Sequence, residues 1–163
     1  MSIITNMNNP MKFLIGRKTI RNFKKGEALT VYSEINDCIS QLMIITRGDE
    51  KWLAPKYSKS YTDISKYQTL TDYEWDTNEV YFGNELVKKR YRLYIKEILK
   101  TTNEALDLYL PRIPICVIVT VQRGKYSNIS MRFHIYREGE FHIEQDLSCY
   151  KQPVLYEIYN YDK

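Results

Sequence analysis

The sequence predicts an α+β fold, with two or three helices packed against a mainly antiparallel sheet of four or five strands. Apolar residues recur at helical spacing in two long segments before residue 111. The C-terminal third is instead rich in alternating and β-branched segments, which favour strands. A length of 163 residues fits one domain, so we expect a single domain over residues 1–163.

The N-terminal half is expected to begin with a short strand at residues 12–15. A helix is predicted over residues 27–46, where apolar side chains recur at helical spacing, and Gly48 would end it. Residues 49–77 show no sustained period. A segment of this length without regular structure is uncommon and often functional, although a short strand or helical turn would fit within it.

A second helical pattern covers residues 78–110 and ends before Pro111. Residues 101–104 resemble a capping box, which predicts a kink or a restart of the helix. Opposite the apolar stripe lies a row of basic residues at four-residue spacing: Lys88, Arg92, Lys96 and Lys100. The row would suit a nucleic-acid-binding module, in which Lys88, Arg92 and Lys96 contact phosphates, or it is simply a solvated helix face.

The C-terminal third predicts strands at residues 113–121 and 154–159, with a hairpin between them. Residues 129–136 alternate, so that one face carries Ile129, Met131, Phe133 and Ile135. A three-residue loop with Gly139 in the left-handed region keeps the apolar residues of the next segment on that same face. The other face then carries three cross-strand pairs: Tyr136–Glu140, His134–His142 and Arg132–Glu144.

The pairing of His134 with His142 raises the question of catalysis. Two adjacent imidazoles can act as general acid and base, as in a metal-independent ribonuclease, with Arg132 or Lys125 as the stabilising cation. A polar cross-strand ladder explains the same residues more simply, because Glu144 would neutralise Arg132. We therefore expect no catalysis, and no metal site either.

Composition and motif content argue against several classes of function. The net charge of +4 is mild and no polybasic tail is present, so nucleic-acid binding is weakly supported. Three separated cysteines without a CxxC pair predict neither a disulfide framework nor a zinc site. No nucleotide-binding or nucleophile motif occurs, so no cofactor is expected. The absence of a long apolar run and of a signal pattern leads us to expect a cytoplasmic protein without a membrane contact.

One short segment alternates carboxylates with large aromatic side chains, which is typical of a protein-binding surface. It consists of Asp72, Tyr73, Glu74, Trp75 and Asp76. Tyr61 and Tyr67 precede it and would extend the surface. The alternative is a loop in which Trp75 fills the core while the acids cap the following helix.

With this segment and the C-terminal stretch MRFHIYREGEFHIEQDLSCYKQPVLYEIYN, the chain resembles the small immunity proteins of bacterial toxin–immunity systems, particularly those of contact-dependent growth inhibition. The resemblance is one of type: a short α+β chain rich in Tyr, Ile, Lys and Asn that has no catalytic motif. It implies a non-enzymatic cytoplasmic protein that binds a cognate toxin domain and occludes its active site or substrate entry. The contact residues expected on this basis are Asp72, Tyr73, Glu74, Trp75, Asp76, Tyr61 and Tyr67.

Overall fold

The computed structural model describes residues 2–16, 25–56, 64–83, 85–110, 112–124, 128–140 and 142–160, leaving aside the side chains of residues 25–29 and 85–89. Within these ranges the chain forms four α-helices, seven strands and one 3-10 turn. The helices are α1 (Asn9–Gly16), α2 (Lys25–Ser40), α3 (Leu70–Thr77) and α4 (Glu85–Tyr109), and the 3-10 turn is Leu147–Cys149. The strands are β1 (Ser2–Met7), β2 (Leu42–Arg47), β3 (Glu50–Pro55), β4 (Glu79–Phe82), β5 (Ile115–Gln122), β6 (Asn128–Ile135) and β7 (Val154–Asn160).

Five of these strands form an antiparallel sheet in the order β1-β7-β5-β6-β4. The remaining two, β2 and β3, form a separate hairpin. The predicted α+β class is therefore confirmed, and so are the strands expected near residues 113–121 and 154–159. An N-terminal strand is also present, and it lies at the edge of the sheet.

The inner face of the sheet packs against α2 and α4. The alternation expected of β6 is confirmed, because all four of its inward apolar residues join the main core: Ile129, Met131, Phe133 and Ile135. Ile35 and Ile39 of α2 and Ile98 of α4 meet them there, and all three side chains are fully buried. Removal of this apolar area from water is the main stabilising term of the fold.

The outer face of the sheet is covered over only part of its area. A second apolar cluster forms where Ile118 and Ile158 of the sheet meet Ile143 and Leu147 of the segment that leads to β7. Beside this cluster the face is polar at Thr120 and Ser130, which are hydrogen-bonded to each other across β5 and β6. The outer face of the sheet therefore has an uncovered polar part next to the part that Ile143 and Leu147 cover.

The short strand expected at residues 12–15 is wrong, because these residues belong to α1. Asn8 caps that helix: its side-chain oxygen accepts from the backbone N–H of Met11 at 3.0 Å. Pro10 stands in the first turn, where a proline fits without the loss of a hydrogen bond. Capping residues followed by a first-turn proline were thus the sequence signal for a helix here.

The helix predicted over residues 27–46 is correct only as far as Ser40. The continuation is β2, because Ile44, Ile45 and Thr46 form a β-branched run that pairs with β3. Gly48 does not end a helix. It lies in the two-residue turn of the hairpin with φ +61°, in the left-handed region that favours glycine.

The helix expected over residues 78–110 begins later than predicted. Residues 79–82 are strand β4, which pairs with β6 through Glu79–Arg132 and Phe82–Ile129. The interruption expected near Thr101 is also wrong, since the non-helical backbone lies at Arg90 (φ −141°). None of the described helices is both long and apolar enough to span a bilayer.

Candidate partner-binding surface

The histidine hairpin differs from the prediction. Strand β6 ends at Ile135, and an isolated bridge joins Arg137 to Glu140 around a two-residue turn in which Gly139 has φ +85°. Residues 142–146 form no strand. The predicted pairs Tyr136–Glu140, His134–His142 and Arg132–Glu144 are therefore wrong, because the shorter turn closes the hairpin after a single bridge.

His134 is a buried core residue. Only 1% of it is exposed, and its Nδ1 lies 2.8 Å from the carbonyl oxygen of Ile135. Burial lowers the pKa of His134 to about 4, since a charged imidazole would lose its hydration there. The neutral ring therefore donates from Nδ1, and its buried Nε2 has no partner in the described part of the chain.

The acidic–aromatic segment folds as helix α3. Thr69 begins the helix with a reciprocal capping box: Thr69 Oγ1 accepts from the N–H of Asp72 at 3.0 Å, and Asp72 Oδ2 accepts from the N–H of Thr69 at 3.0 Å. At 3.6 residues per turn, Asp72, Trp75 and Asp76 share one face of this helix. Tyr73 and Glu74 point away from that face.

Tyr73 and Glu74 are therefore unavailable to a partner in this fold, contrary to the prediction. Tyr73 is 1% exposed and packs with Trp52 and Ala54. Tyr67 is half-buried and meets the Tyr73 ring edge-on, with the ring centroids 5.3 Å apart. Tyr61 lies outside the described residues.

Glu74 connects α3 to strand β3 of the hairpin and to strand β6 of the five-stranded sheet. Its side chain is fully buried and accepts from the N–H of Leu53 at 2.6 Å and from the N–H of Ile135 at 3.4 Å. Arg137 completes the arrangement with an ion pair at 2.6 Å. Burial raises the pKa of Glu74 to about 7, although the guanidinium of Arg137 and the hydrogen bonds oppose that rise.

Trp75 is partly buried: it packs against the outer apolar cluster that contains Ile118 and Ile143, and its ring also contacts two polar neighbours. The His142 ring stacks on it with centroids 4.1 Å apart and an interplanar angle of 24°. The Arg132 guanidinium carbon lies 4.4 Å from the indole centroid, within the range of a cation–π contact. Both contacts restrict the rotamer of Trp75 before any partner binds.

Each of these two neighbours is itself anchored. His142 Nδ1 lies 2.9 Å from Asp72 Oδ1, and Arg132 pairs with Glu79 at 2.6 Å. Tyr81, which is 59% exposed, donates from its hydroxyl to Glu79 at 2.6 Å. We call this connected set the Trp75 surface: Asp72, His142, Trp75, Arg132, Glu79 and Tyr81.

The Trp75 surface contains four residues that the sequence prediction of a binding segment left out. Arg132, Glu79 and Tyr81 reach it because β4 pairs with β6, and the segment around β4 was predicted to be helical. His142 reaches it because residues 142–146 fold back over the sheet instead of pairing with β6. Recognition of residues 79–82 as a strand would have placed Glu79 and Tyr81 together on one face.

The basic row on α4 is not a uniform cationic stripe. Arg92 is partly buried, Lys96 is exposed, and Lys100 lies 4.0 Å from Glu97 and 3.9 Å from Glu104. The side chain of Lys88 is among those that the structure does not describe. Among the described residues no group of three or more His, Cys, Asp and Glu could hold a metal ion.

By fold and surface, this is an α+β protein with a preordered aromatic patch beside a polar sheet face. The chain belongs to the family described as "Uncharacterized protein PM0498 family", whose model matches residues 7–162. A search of curated proteins and a search of solved structures each gave no match.

Proposed function

We propose that this protein is an immunity protein that neutralises a cognate bacterial toxin domain by binding it through the Trp75 surface. The observation that carries the proposal is the state of Trp75 itself. Its indole is partly buried on the outer apolar cluster, with the His142 ring centroid 4.1 Å and the Arg132 guanidinium carbon 4.4 Å from its own ring centroid. An aromatic side chain that is ordered before binding loses little entropy on association.

Charge around Trp75 supports the same function. Asp72 shares a helix face with Trp75 and keeps 32% of its side chain exposed. Asp76, one residue after Trp75, is exposed as well. Carboxylates beside a Trp anchor accelerate encounter with a partner that presents basic groups, and the anchor supplies the contact energy.

The mechanism would be occlusion. The indole of Trp75 would enter a pocket of the toxin domain, and the exposed carboxylates would pair with cationic side chains at the entrance of its active site. Substrate would then be excluded without any chemical step by this protein. The buried pair of Glu74 and Arg137 would hold α3 in place while it is bound.

The ribonuclease alternative is less well supported. It needs two imidazoles facing one substrate, whereas His134 is 1% exposed and His142 stacks on Trp75. The nucleic-acid alternative relies on the basic row of α4, in which Lys100 lies between Glu97 and Glu104. Neither alternative accounts for the ordering of Trp75.

The proposal is tested with the toxin domain encoded by the gene directly upstream, co-expressed with this protein in a bacterial host. We expect the wild-type protein to restore growth and the Trp75→Ala variant to fail. Tyr32→Ala is the matched control, because Tyr32 is also a partly exposed aromatic residue but lies on α2, across the sheet. Circular dichroism would verify that each variant is folded.

Two results would contradict this function. The first is a gene neighbourhood that encodes no secreted toxin. The second is growth protection by Trp75→Ala that equals protection by the wild type.

A further inference from the structure

A groove of about 610 Å³ lies on the uncovered part of the outer sheet face, next to the Trp75 surface. Its floor consists of polar side chains from β5 and β6: Thr120, Gln122, Asn128 and Ser130. Residues 151–153 and Pro10 line it from the other side. The volume is in the range of ligand sites, although the groove is open and polar where most small-molecule sites are enclosed and apolar.

The groove carries an excess of positive charge. Among the described residues that line it, Arg123, Arg132 and Lys151 are cationic, and Glu79 alone is acidic. Glu79 already pairs with Arg132. In the described part of the chain no acidic side chain pairs with Arg123 or Lys151, and both are exposed. A ligand with several negative charges would therefore find two cations without an acidic partner in the groove, Arg123 and Lys151.

Arg132 joins the groove to the Trp75 surface. Its guanidinium lies against Trp75 at 4.4 Å and also lines the groove. Its Nε has no hydrogen-bond acceptor in the described residues, so the Glu79 carboxylate satisfies only part of the guanidinium. A partner that covers Trp75 therefore reaches the mouth of the groove as well.

The dimensions of the groove suit an extended chain. From Asn128 to Arg132 the floor follows five residues of β6, which corresponds to roughly 13 Å at the rise of a strand. About four residues of an extended peptide would cover that distance. The hydroxyl and amide groups of the floor can donate to carboxylates and to backbone carbonyls alike.

We propose that this groove binds an acidic, extended segment of the partner polypeptide, with carboxylates between Arg123 and Lys151. The inference rests on the proposed function for the identity of the partner, and it adds a second contact of opposite charge. Asp72 and Asp76 would face basic groups of the partner on one side of Trp75, and the groove would accept acidic groups on the other. Such reciprocal charge fixes the register of a complex and disfavours wrong partners.

The groove is tested without the partner by amide chemical-shift titration of the full-length protein. The probe is a blocked tetraglutamate peptide, compared with blocked tetraglutamine and with inorganic phosphate. We expect tetraglutamate to give saturable shifts at Thr120, Gln122 and Ser130, and tetraglutamine to give none. Added salt should weaken the binding, since the contacts are charged and exposed.

Charge reversal provides the matched comparison. Arg123→Glu combined with Lys151→Glu should weaken tetraglutamate binding roughly tenfold or more, because both cations become repulsive. Lys96 is also an exposed cation but lies on α4, so Lys96→Glu should leave the binding unchanged. The proposal is overturned if the peptide produces no saturable shifts, if Lys96→Glu weakens binding as much as the double variant, or if phosphate binds the same amides as tightly as the peptide.

The same variants separate this inference from the proposed function. If the double variant still protects cells as well as the wild type while Trp75→Ala does not, the groove proposal fails and the immunity function stands. If tetraglutamate binds the groove but the upstream gene encodes no toxin, the immunity function fails and the groove remains an acidic-peptide site.

Discussion

Glu74 is the residue on which the position of helix α3 most depends. One carboxylate accepts from the backbone of β3 and of β6 and pairs with Arg137. A buried ion pair adds little to stability relative to apolar residues of the same shape, but the loss of one partner leaves the other charge uncompensated. The pair therefore specifies where α3 lies, and with it the orientation of Trp75.

We predict that Glu74→Ala lowers the free energy of unfolding by about 3 to 5 kcal/mol, because Arg137, whose side chain is 16% exposed, loses its carboxylate. Urea denaturation at pH 8, where a Glu74 carboxyl with a pKa of about 7 is ionised, measures the change. Asp76→Ala is the control on the same helix: Asp76 is exposed, so its removal should change stability by no more than about 0.5 kcal/mol. Equal effects of the two substitutions would refute the anchoring role of Glu74.

The identity of the exposed residues could be predicted only in part. The sequence indicated a binding segment around Trp75. The alternation of acidic and aromatic residues, however, gives no reason to expect Tyr73 and Glu74 to be more buried than their neighbours. A helix distributes five consecutive residues around its axis, so that Asp72, Trp75 and Asp76 face one way and the other two face the core. The choice between helix and loop thus decided which side chains were available.

At the scale of elements, α3 is a helix of eight residues whose start depends on Thr69. So short a helix has little stability of its own, and its cap and its packing hold it. Asp72 takes part in the cap with one oxygen and contacts His142 with the other. The cap and the Trp75 surface therefore share a carboxylate.

We predict that Thr69→Ala costs about 1 kcal/mol of stability, because the N–H of Asp72 loses its acceptor. Thr69→Ser keeps the hydroxyl and should retain most of that stability. Thermal denaturation of the two variants compares them directly. If Thr69→Ser is destabilised as much as Thr69→Ala, then the methyl group of Thr69, and not its hydroxyl, is what matters.

The elements that could be predicted are those with a single strong period. Strand β5 is an apolar, β-branched run, and β6 alternates without exception on its inner face. Leu42 and Val80, by contrast, fit a helical stripe and a strand equally well. Their partners settle the choice: Leu42 pairs with Pro55, and Val80 pairs with Met131, 51 residues away in sequence. Contacts so distant are invisible to local pattern.

At the scale of the whole molecule, two buried groups give opposite dependences of stability on pH. The folded pKa of Glu74, about 7, lies above the ordinary value of 4.5, so its contribution is greatest below pH 4.5 and is lost as the pH rises through 7. The folded pKa of His134, about 4, lies below the ordinary 6.5. Its contribution is present above pH 6.5 and is lost as the pH falls through 4.

We therefore predict that His134→Leu makes the protein less sensitive to acid. Between pH 7 and pH 4.5, His134→Leu should lose about 2 to 3 kcal/mol less unfolding free energy than the wild type loses. The reason is that protons no longer bind preferentially to the unfolded chain at this position. Urea denaturation at both pH values measures it, with Tyr32→Ala as the control. An unchanged pH difference in His134→Leu would contradict the burial of a neutral imidazole.

The central claim is that Trp75 is the anchor of a protein-binding surface. Isothermal titration calorimetry with the proposed partner, the purified domain that the directly upstream gene encodes, tests it most directly. We predict that Trp75→Ala weakens binding by about 2 kcal/mol or more, as expected of a central aromatic contact, while Tyr32→Ala binds like the wild type. A dissociation constant for folded Trp75→Ala equal to that of the wild-type protein would contradict the claim.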